Sequence, residues 1–278
     1  MDRYAVLGNP VGHSLSPRIH ARFAAQTGQA LSYEALEPPL DGFADFVAEL
    51  HRQGYRGMNV TIPFKGEAWA LAEPRSPRAE LARSVNTLIR TAQGWRGDTT
   101  DGVGLVRDLT GNLGVTLTGQ RLLLVGAGGA ARAVTGALLE AGPAVLHVAN
   151  RTAPKARELA RVFARLGPIR GSGLDGPYDD APFDVIINAT ATSLESTVPS
   201  LPDGLLRPGG LAYDMMYAAE PTPFVHWGLV QGAARSVDGL GMLVEQAAES
   251  FWLWRGVRPE TGPVLAALRT ELGYRDGE

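Results

Sequence analysis

One glycine-rich stretch, RLLLVGAGGAARAVTGALLEAG, constrains the fold more than any other part of this chain. Its apolar start is typical of a buried strand, and its later part has the pattern of a helix that ends at Gly142. The turn that joins them matches G-x-G-x-x-G/A at Gly126, Gly128 and Ala131. This pattern is informative when a strand precedes it and a helix follows. A parallel α/β sheet that binds a dinucleotide is therefore predicted around this turn.

The backbone of this turn is the predicted phosphate site. Glycines let the turn close and let the backbone approach a pyrophosphate, while the start of the next helix offers N–H donors and a partial positive charge. The alternative is a tight strand–helix turn that binds no ligand. The residues predicted to hold the pyrophosphate are Gly126, Ala127, Gly128, Gly129 and Ala130.

The end of the next strand, AVLHVAN, indicates which dinucleotide is bound. An NAD site usually has Asp or Glu there, which binds the ribose 2′-hydroxyl. This chain has no acid there and instead has two cations, Arg151 and Lys155, near Asn150 and Thr152. Arginine binds a phosphate bidentately and lysine adds a point charge, so the pattern favours NADP. The alternative is a solvated helix start, but cations at a helix N-terminus oppose its dipole unless an anion binds.

Short apolar runs alternate with amphipathic ones along most of the chain, which predicts an α/β protein. We expect two domains with a cleft between them: an N-terminal α/β substrate domain with a mostly parallel sheet, and a Rossmann-type NADP-binding domain. The segments SVNTLIR and GWRGD predict a hairpin within the first sheet. The C-terminal segment has no strand pattern and is expected to pack back on the first domain. The predicted domains are therefore 1–102 with 238–278, and 103–237.

The composition excludes several classes of function. A net charge of -3 and a pI near 6.0 give no basic signal for nucleic-acid binding. The chain has no cysteine, which excludes disulfides, thiolate catalysis and cysteine-bound metals, and its five histidines have no metal-ligand spacing. No signal-peptide pattern is present, and no apolar run reaches the ~18 residues of a membrane span. We expect a cytoplasmic protein with no metal, nucleic-acid or membrane partner.

Lysine is rare here: of 26 basic residues, only Lys65 and Lys155 are lysines. Because arginine serves elsewhere, Lys65 is a candidate for a role that needs an amine able to lose its proton, and the alternative is a chance lysine on a solvated face. Small polar side chains also occur near the predicted strand ends of the first domain, where open α/β sheets bind ligands. Together they suit a small polyhydroxylated acid, although each alone has a structural reading as a cap or turn residue. They are Ser14, Ser16, Asn59, Thr61, Asn86 and Asp101.

Nearly end to end, the chain resembles the shikimate/quinate dehydrogenase family. VLGNPVGHSLSPRIH resembles its opening motif, and GMNVTIPFK, SVNTL and TDGVG follow in the family's order and spacing. GAGGAARA and NRTAPKA resemble its NADP motifs, YDMMYAAEPTPF its late strand motif and DGLGMLVEQAAESFWLW its closing helix. Two positions depart from the family pattern: Thr99 stands where Asn is common, and the loop after Thr190 reads ATSLES.

The resemblance implies an NADP-dependent shikimate dehydrogenase activity, the reversible reduction of 3-dehydroshikimate to shikimate on the route to chorismate and aromatic amino acids. It implies Lys65 and Asp101 as catalytic residues, with Lys65 acting as acid in reduction and as base in oxidation. The resemblance also assigns Ser14, Ser16 and Tyr217 to the substrate carboxylate, Asn59, Thr61, Asn86, Asp101 and Gln246 to its ring hydroxyls, and Thr190, Met215 and Gly239 to the nicotinamide end of the cofactor.

Two rival functions stay open at this point. A quinate/shikimate dehydrogenase would share the fold and often uses NAD, which Arg151 and Lys155 disfavour. A non-catalytic binding protein that responds to NADPH or shikimate would need the ligand site but no proton shuttle, so Lys65 and Asp101 weigh against it. The sequence leaves the oligomeric state open, and a homodimer is one candidate.

Overall fold

The computed structural model describes residues 1–179 and 181–274. Its internal contacts divide the chain into two compact units. The first contains Met1–Gly104 and Val244–Leu265, and the second contains Leu105–Leu243 and the described residues from Ala266 on. The predicted division differs from this one toward the C-terminus, where it assigns all of 238–278 to the first domain.

The difference has a physical reason in the second unit. The N–H of Gly239 donates to the carbonyl of Met216 (2.9 Å), and the hydroxyl of Tyr274 donates to the carbonyl of Ala218 (2.6 Å). These contacts group Gly239 and Tyr274 with the second unit, while the stretch from Val244 to Leu265 groups with the first. The assignment of one function to each domain stays a prediction.

A five-stranded sheet organises the first unit, in the order β2-β1-β3-β4-β5. Strand β1 pairs in parallel with β2 and β3, and β4 pairs antiparallel with β3 and β5, which confirms the predicted sheet with its hairpin. The strands are β1 (Asp2–Leu7), β2 (Leu31–Leu36), β3 (Gly57–Val60), β4 (Thr87–Arg90) and β5 (Trp95–Asp98), and the helices of this part of the chain are α1 (Ser16–Thr27), α2 (Phe43–Arg52), α3 (Lys65–Leu71) and α4 (Pro77–Ala82).

The antiparallel direction of β4 gathers the polar segments at one edge of this sheet. Asn59, near the end of β3, is opposite Thr87 at the start of β4, and Thr87 is opposite Asp98 at the end of β5. The segments that follow β1, β3 and β5 and the segment that precedes β4 therefore lie at the same edge. That is the edge at which α/β sheets bind ligands.

Aromatic packing fixes the start of α3. The ring of Phe43 in α2 stacks on that of Phe64, with ring centroids 4.6 Å apart, and both side chains are buried. Burial of one Phe contributes roughly 1.5–3 kcal/mol to the free energy of unfolding. Since Phe64 directly precedes Lys65, this core contact holds the residue from which Lys65 projects.

A six-stranded parallel sheet organises the second unit, in the order β11-β10-β9-β6-β7-β8. Its strands are β6 (Arg121–Val125), β7 (Val145–Ala149), β8 (Ile169–Ser172), β9 (Phe183–Asn188), β10 (Leu206–Asp214) and β11 (Arg235–Val237). The remaining helices are α5 (Asp101–Arg107), which continues into a π-helical turn (Asp108–Asn112), α6 (Gly129–Glu140), α7 (Ala153–Phe163), a 3-10 turn (Thr192–Glu195), α8 (Pro223–Val230), α9 (Leu240–Arg255) and α10 (Gly262–Leu272).

The chain reverses its direction of travel across this sheet next to β6, which has β7 on one side and β9 on the other. Ligands of doubly wound sheets bind outside the carboxyl ends of the strands at such a point. Strand β8 was not predicted, because its four residues, IRGS, carry too short a pattern to identify. Across residues 1–179 and 181–274, no helix has the length and apolarity needed to cross a membrane.

Candidate active site

The centre of the candidate site in the first unit is an ion pair. Lys65 is the first residue of α3 and Asp101 is the first residue of α5. The ammonium Nζ of Lys65 donates to Asp101 Oδ2 at 2.6 Å. The Asp101 side chain is 8% exposed and the Lys65 side chain 23%, so the carboxylate lies deeper and the amine stays partly accessible.

Asn86 holds the carboxylate from its other side. Its Nδ2 donates to Asp101 Oδ1 at 2.8 Å, and its Oδ1 accepts from the backbone N–H of Thr100 at 2.9 Å. The Oε1 of Gln246, on α9, accepts from Asn86 Nδ2 and from the Thr100 hydroxyl, each at 3.3 Å. The structure therefore brings Lys65, Asn86, Asp101 and Gln246 together, four residues that the sequence predicted for one site.

Ser250 is a member of this network that sequence reasoning missed. It is completely buried on α9, and its hydroxyl accepts from Asn59 Nδ2 at 2.9 Å and shares hydrogen bonds with Thr87 (2.8 Å) and Thr100 (3.2 Å). The available signal was its spacing of four residues from Gln246, which puts both side chains on one face of a helix.

Asn59 continues the network toward the serines of the opening motif. Its Oδ1 accepts from the hydroxyl of Tyr33 at 2.8 Å. Burial raises the pKa of the Tyr33 hydroxyl well above the ordinary value of 10.0, and the influence of Ser16 lowers it in part. Ser14 Oγ in turn accepts from the backbone N–H of Ser16 at 3.2 Å. Sequence reasoning missed Tyr33, which stacks on the buried ring of His20 with centroids 4.2 Å apart.

Two threonines of the first unit stand apart from these contacts. Thr61 follows β3, is half-buried, and places its methyl group where a side chain at Gly8 would need to go. Thr99, which departs from the family pattern, is buried, and its N–H donates to Asp98 Oδ1 at 2.8 Å. Its hydroxyl has no hydrogen-bond partner among the described residues, so it does not join the network that holds Asp101.

In the second unit, the glycine turn follows β6 as predicted. Gly126 has φ of 113°, and a Cβ there would lie 3.1 Å from the carbonyl oxygen of Ala189, so both the backbone conformation and the close approach require glycine. Gly128 and Gly129 are exposed, and a Cβ at either would meet no atom within 4 Å. Packing among the described residues therefore does not require these two glycines, which leave the backbone open to a ligand. Ala127 is half-buried and Ala130 is exposed.

The two cations after β7 are exposed at the start of α7. Arg151 and Lys155 make no ion pair within residues 1–179 and 181–274. Beside them, Asn150 Nδ2 donates to the carbonyl of Thr152 at 3.0 Å, which fixes the turn into α7. Cations near a helix N-terminus lack a favourable partner in the helix dipole, so this arrangement suits a bound anion such as a phosphate.

Asn188 contacts two of the three residues that were predicted for the nicotinamide end of the cofactor. The Thr190 hydroxyl donates to Asn188 Oδ1 at 2.7 Å, and the backbone N–H of Met215 donates to the Asn188 carbonyl at 2.9 Å. Gly239 lies so close to the carbonyl of Met215 that a side chain there would clash. The second unit thus gathers Thr190, Met215 and Gly239 at one place.

Asp214 is a buried carboxylate of the same region that sequence reasoning missed. It accepts from Ser193 Oγ (2.5 Å), Thr222 Oγ1 (2.7 Å) and Asn188 Nδ2 (3.1 Å), and burial raises its pKa. Ser193 belongs to the loop ATSLES, which departs from the family pattern. Its hydrogen bond to Asp214 therefore connects this loop to the end of β10. The signal available in the sequence was an acid at the end of a buried strand.

Tyr217 is half-buried in the second unit, and burial followed by the charge of Asp238 raises the pKa of its hydroxyl. Ser14 and Ser16, the other residues predicted for the substrate carboxylate, belong to the first unit. The role of all three residues at a common carboxylate stays a prediction.

Comparisons with known proteins agree with this geometry. Three family models match, described as the shikimate dehydrogenase substrate binding domain (residues 6–88), shikimate / quinate 5-dehydrogenase (108–196) and the shikimate 5'-dehydrogenase C-terminal domain (239–269). A shikimate dehydrogenase (NADP(+)) from Thioalkalivibrio sulfidiphilus is 57% identical over 270 residues, which cover 97% of this chain and 98% of that protein.

Solved structures give the same result. An Ael1 enzyme from Pseudomonas putida has a TM-score of 0.90 and 44% identity, covering 96% of this chain and 98% of that one. A shikimate 5-dehydrogenase from Thermus thermophilus, solved with NADP(H) and shikimate, has a TM-score of 0.85 and 36% identity, covering 97% and 99%. With this identity along nearly its whole length, the chain belongs to the shikimate dehydrogenase family.

Proposed function

We propose that this protein catalyses the reversible, NADPH-dependent reduction of 3-dehydroshikimate to shikimate. Relatives from several organisms are named shikimate dehydrogenase (NADP(+)) and are 52–57% identical over nearly the full chain. The observation that carries the proposal is the 2.6 Å ion pair of Lys65 and Asp101, held by Asn86 within one buried polar network. This is an arrangement for proton transfer to a small hydroxylated ligand.

Lys65 provides the proton in the proposed reaction. NADPH, when bound, supplies the hydride that reduces the C3 carbonyl carbon. As negative charge develops on the carbonyl oxygen, the ammonium Nζ of Lys65 donates a proton to it, which yields the hydroxyl of shikimate and leaves a neutral amine. The amine then takes a proton from solvent, and in the oxidative direction the same amine acts as the base. An arginine cannot do this, because it does not lose its proton near neutral pH.

Asp101 is proposed to hold the Lys65 ammonium in place as the proton donor for reduction. A carboxylate at hydrogen-bond distance fixes the direction of an ammonium through a charge-assisted hydrogen bond. Asn86 occupies Asp101 Oδ1, so that Oδ2 is the oxygen directed at Lys65. The pair acts as a unit, and the loss of either residue should remove most of the proton-transfer contribution.

The residues of the second unit fit NADP. Gly128, Gly129 and Ala130 expose the backbone at the start of the 12-residue helix α6, which suits a pyrophosphate. Arg151 and Lys155 offer two cations for a 2′-phosphate and no acid for a ribose 2′-hydroxyl. Thr190, Met215 and Gly239 are proposed for the nicotinamide end, with Asn150 and Thr152 supporting the adenine-side turn.

The substrate contacts are proposed as the family resemblance implies them. Ser14, Ser16 and Tyr217 are assigned to the carboxylate of shikimate, and Thr61, Asn86 and Gln246 to its hydroxyls. Asn59 has its amide and its oxygen engaged by Ser250 and Tyr33. We therefore propose that Asn59 acts mainly by positioning these neighbours around the substrate.

A steady-state assay of the purified protein tests the proposal. Oxidation of shikimate and of quinate is measured with NADP⁺ and with NAD⁺, four combinations in all. Shikimate with NADP⁺ should give the highest kcat/KM. A preference for quinate or for NAD⁺ would identify the quinate/shikimate dehydrogenase instead, and ligand binding without turnover would identify a binding protein. A homodimer and a cytoplasmic location stay predictions, which sedimentation and cell fractionation test.

A further inference from the structure

The last described residue of the chain makes an unexpected contact in the second unit. Tyr274 follows α10, and its hydroxyl lies 2.6 Å from the carbonyl oxygen of Ala218, which is 56 positions earlier. The same hydroxyl also hydrogen-bonds Asp238 Oδ2. One side chain thus joins two loops that are distant from each other along the chain.

These two loops carry residues that we assign to the ligands. Ala218 directly follows Tyr217, and Asp238 directly precedes Gly239. The Gly239 N–H donates to the carbonyl of Met216 at 2.9 Å, so the second contact between the loops lies next to the first. Tyr274 therefore adds a hydrogen-bonded brace to the place where both loops meet.

The hydrogen atoms of this contact can be counted. A tyrosine hydroxyl has one hydrogen to donate and can also accept. Asp238 Oδ1 accepts from the N–H of Leu240 at 3.2 Å, which leaves Oδ2 for Tyr274. When Oδ2 carries a proton, it donates to Tyr274 and Tyr274 donates to Ala218, so that every group is satisfied. Burial raises the pKa of Asp238, in the direction that favours this protonated form.

We propose that Tyr274 is a positioning residue for the reaction, holding the loop of Tyr217 and the loop of Gly239 in the arrangement that receives the substrate carboxylate and the cofactor. The inference rests on the proposed function, because it takes Tyr217 and Gly239 as ligand contacts. It adds a residue from the C-terminal end of the chain to a site otherwise built from earlier segments.

Tyr274→Phe tests the proposal, with Tyr178→Phe as the matched control. Tyr178 also donates its hydroxyl to a backbone carbonyl of the second unit, that of Leu174 at 2.8 Å, but it contacts neither loop. For Tyr274→Phe we expect KM for shikimate and Kd for NADP⁺ to rise roughly threefold to tenfold, the range that one lost hydrogen bond gives. The turnover number should change less, since Lys65 and Asp101 are untouched. Tyr178→Phe should match the wild type in all three constants.

Two variants of Asp238 separate a positioning role from general damage. Asp238→Asn keeps an acceptor for Leu240 and offers an N–H to Tyr274, so it should retain wild-type KM and Kd. Asp238→Ala should resemble Tyr274→Phe, and the double variant should be no worse than either single one, because both act through one contact. Wild-type constants in Tyr274→Phe, additive losses, or a lower melting temperature with unchanged KM and Kd would overturn the proposal. If the wild-type protein does not turn over shikimate, the proposed function is overturned instead. The Kd for NADP⁺ would still show whether Tyr274 positions the loop of Gly239.

Discussion

Asn59 of β3 donates a 2.9 Å hydrogen bond to Ser250 of α9, across 191 positions of the chain. Both side chains are buried. The bond attaches the closing helix to the polar edge of the first sheet and brings Gln246, one turn earlier on α9, to Asn86. A buried polar contact of this kind stabilises the fold only when each of its polar groups has a hydrogen-bond partner. Its removal should therefore lower both the stability of the fold and the order of the site.

Ser250→Ala should lower the free energy of unfolding by about 1–3 kcal/mol, because it leaves buried partners such as Thr100 and Asn59 with fewer hydrogen bonds. Ser84 provides the matched control: it is a buried serine of the same unit whose hydroxyl has no hydrogen-bond partner among the described residues. Ser84→Ala should therefore be neutral or slightly stabilising. Urea unfolding of the three proteins measures both values, and equal losses in the two variants would contradict the assigned network.

Lys65→Arg keeps the positive charge but loses the exchangeable neutral form, so the turnover number should fall by ~10²–10⁴-fold. KM for shikimate should change far less, because a guanidinium still donates hydrogen bonds. Lys65→Met should lose turnover similarly and weaken binding as well. Asp101→Asn should also reduce turnover. The loss of turnover in the double variant should be smaller than the product of the two single losses, because the two residues act as a unit. Near-normal turnover in Lys65→Arg would show that Lys65 only orients the substrate and that another group donates the proton.

Arg151→Ala should raise KM for NADP⁺ and leave KM for NAD⁺ nearly unchanged, because only NADP⁺ carries the 2′-phosphate. Arg161 is the control on the same helix, α7, where it pairs with Glu158 at 2.7 Å on the exposed surface. Arg161→Ala should leave both constants unchanged. Equal losses for the two cofactors in Arg151→Ala would mean that Arg151 does not bind the 2′-phosphate.

Two glycines of the turn should respond differently to alanine. Gly126→Ala meets the Ala189 carbonyl and a φ of 113°, so it should lower the melting temperature as well as the affinity for NADP⁺. Gly128→Ala meets no atom within 4 Å and has an ordinary φ of -83°, so it should leave the melting temperature unchanged. It should still weaken NADP⁺ binding, because the methyl group keeps the pyrophosphate from the backbone. Unchanged NADP⁺ affinity in Gly128→Ala would contradict the assigned phosphate site.

His20 should make the first unit sensitive to acid. Its complete burial lowers its pKa from the ordinary 6.5 to about 3. Between these values the unfolded chain binds a proton that the folded chain does not, so the stability present above pH 6.5 is lost as the pH falls toward 3. The contribution is up to ~1.4 kcal/mol per pH unit.

His20→Phe keeps a ring to stack on Tyr33 and should remove this part of the slope of unfolding free energy against pH. Unfolding curves between the two pKa values measure the slope, and substitution of the exposed His226 by Gln serves as the control. An unchanged slope in His20→Phe would show that other groups cause the acid sensitivity.

The sequence by itself determined those features that leave a local, periodic signal. The strand, glycine turn and helix around Gly126 identified the parallel sheet of the second unit, because apolar runs and glycines have direct steric consequences over a few residues. The polar residues at strand ends, with Lys65 and Asp101 among them, followed from the rule that parallel strands end at one edge. The resemblance in ordered motifs then joined these segments into one family, which the comparisons confirmed.

The tertiary structure alone decided which side chains meet across large separations. The sequence around Tyr33, Asp214 and Ser250 does not identify their hydrogen-bond partners, which lie as far as 26, 26 and 191 positions away, respectively. Likewise, the contact of Tyr274 with Ala218 groups Tyr274 with the second unit, whereas the sequence predicted residues 238–278 for the first domain. Such contacts depend on how helices and strands pack. A hydroxyl or carboxylate gains its role only from the partner that packing brings within hydrogen-bond distance, and one stretch of sequence does not contain that partner.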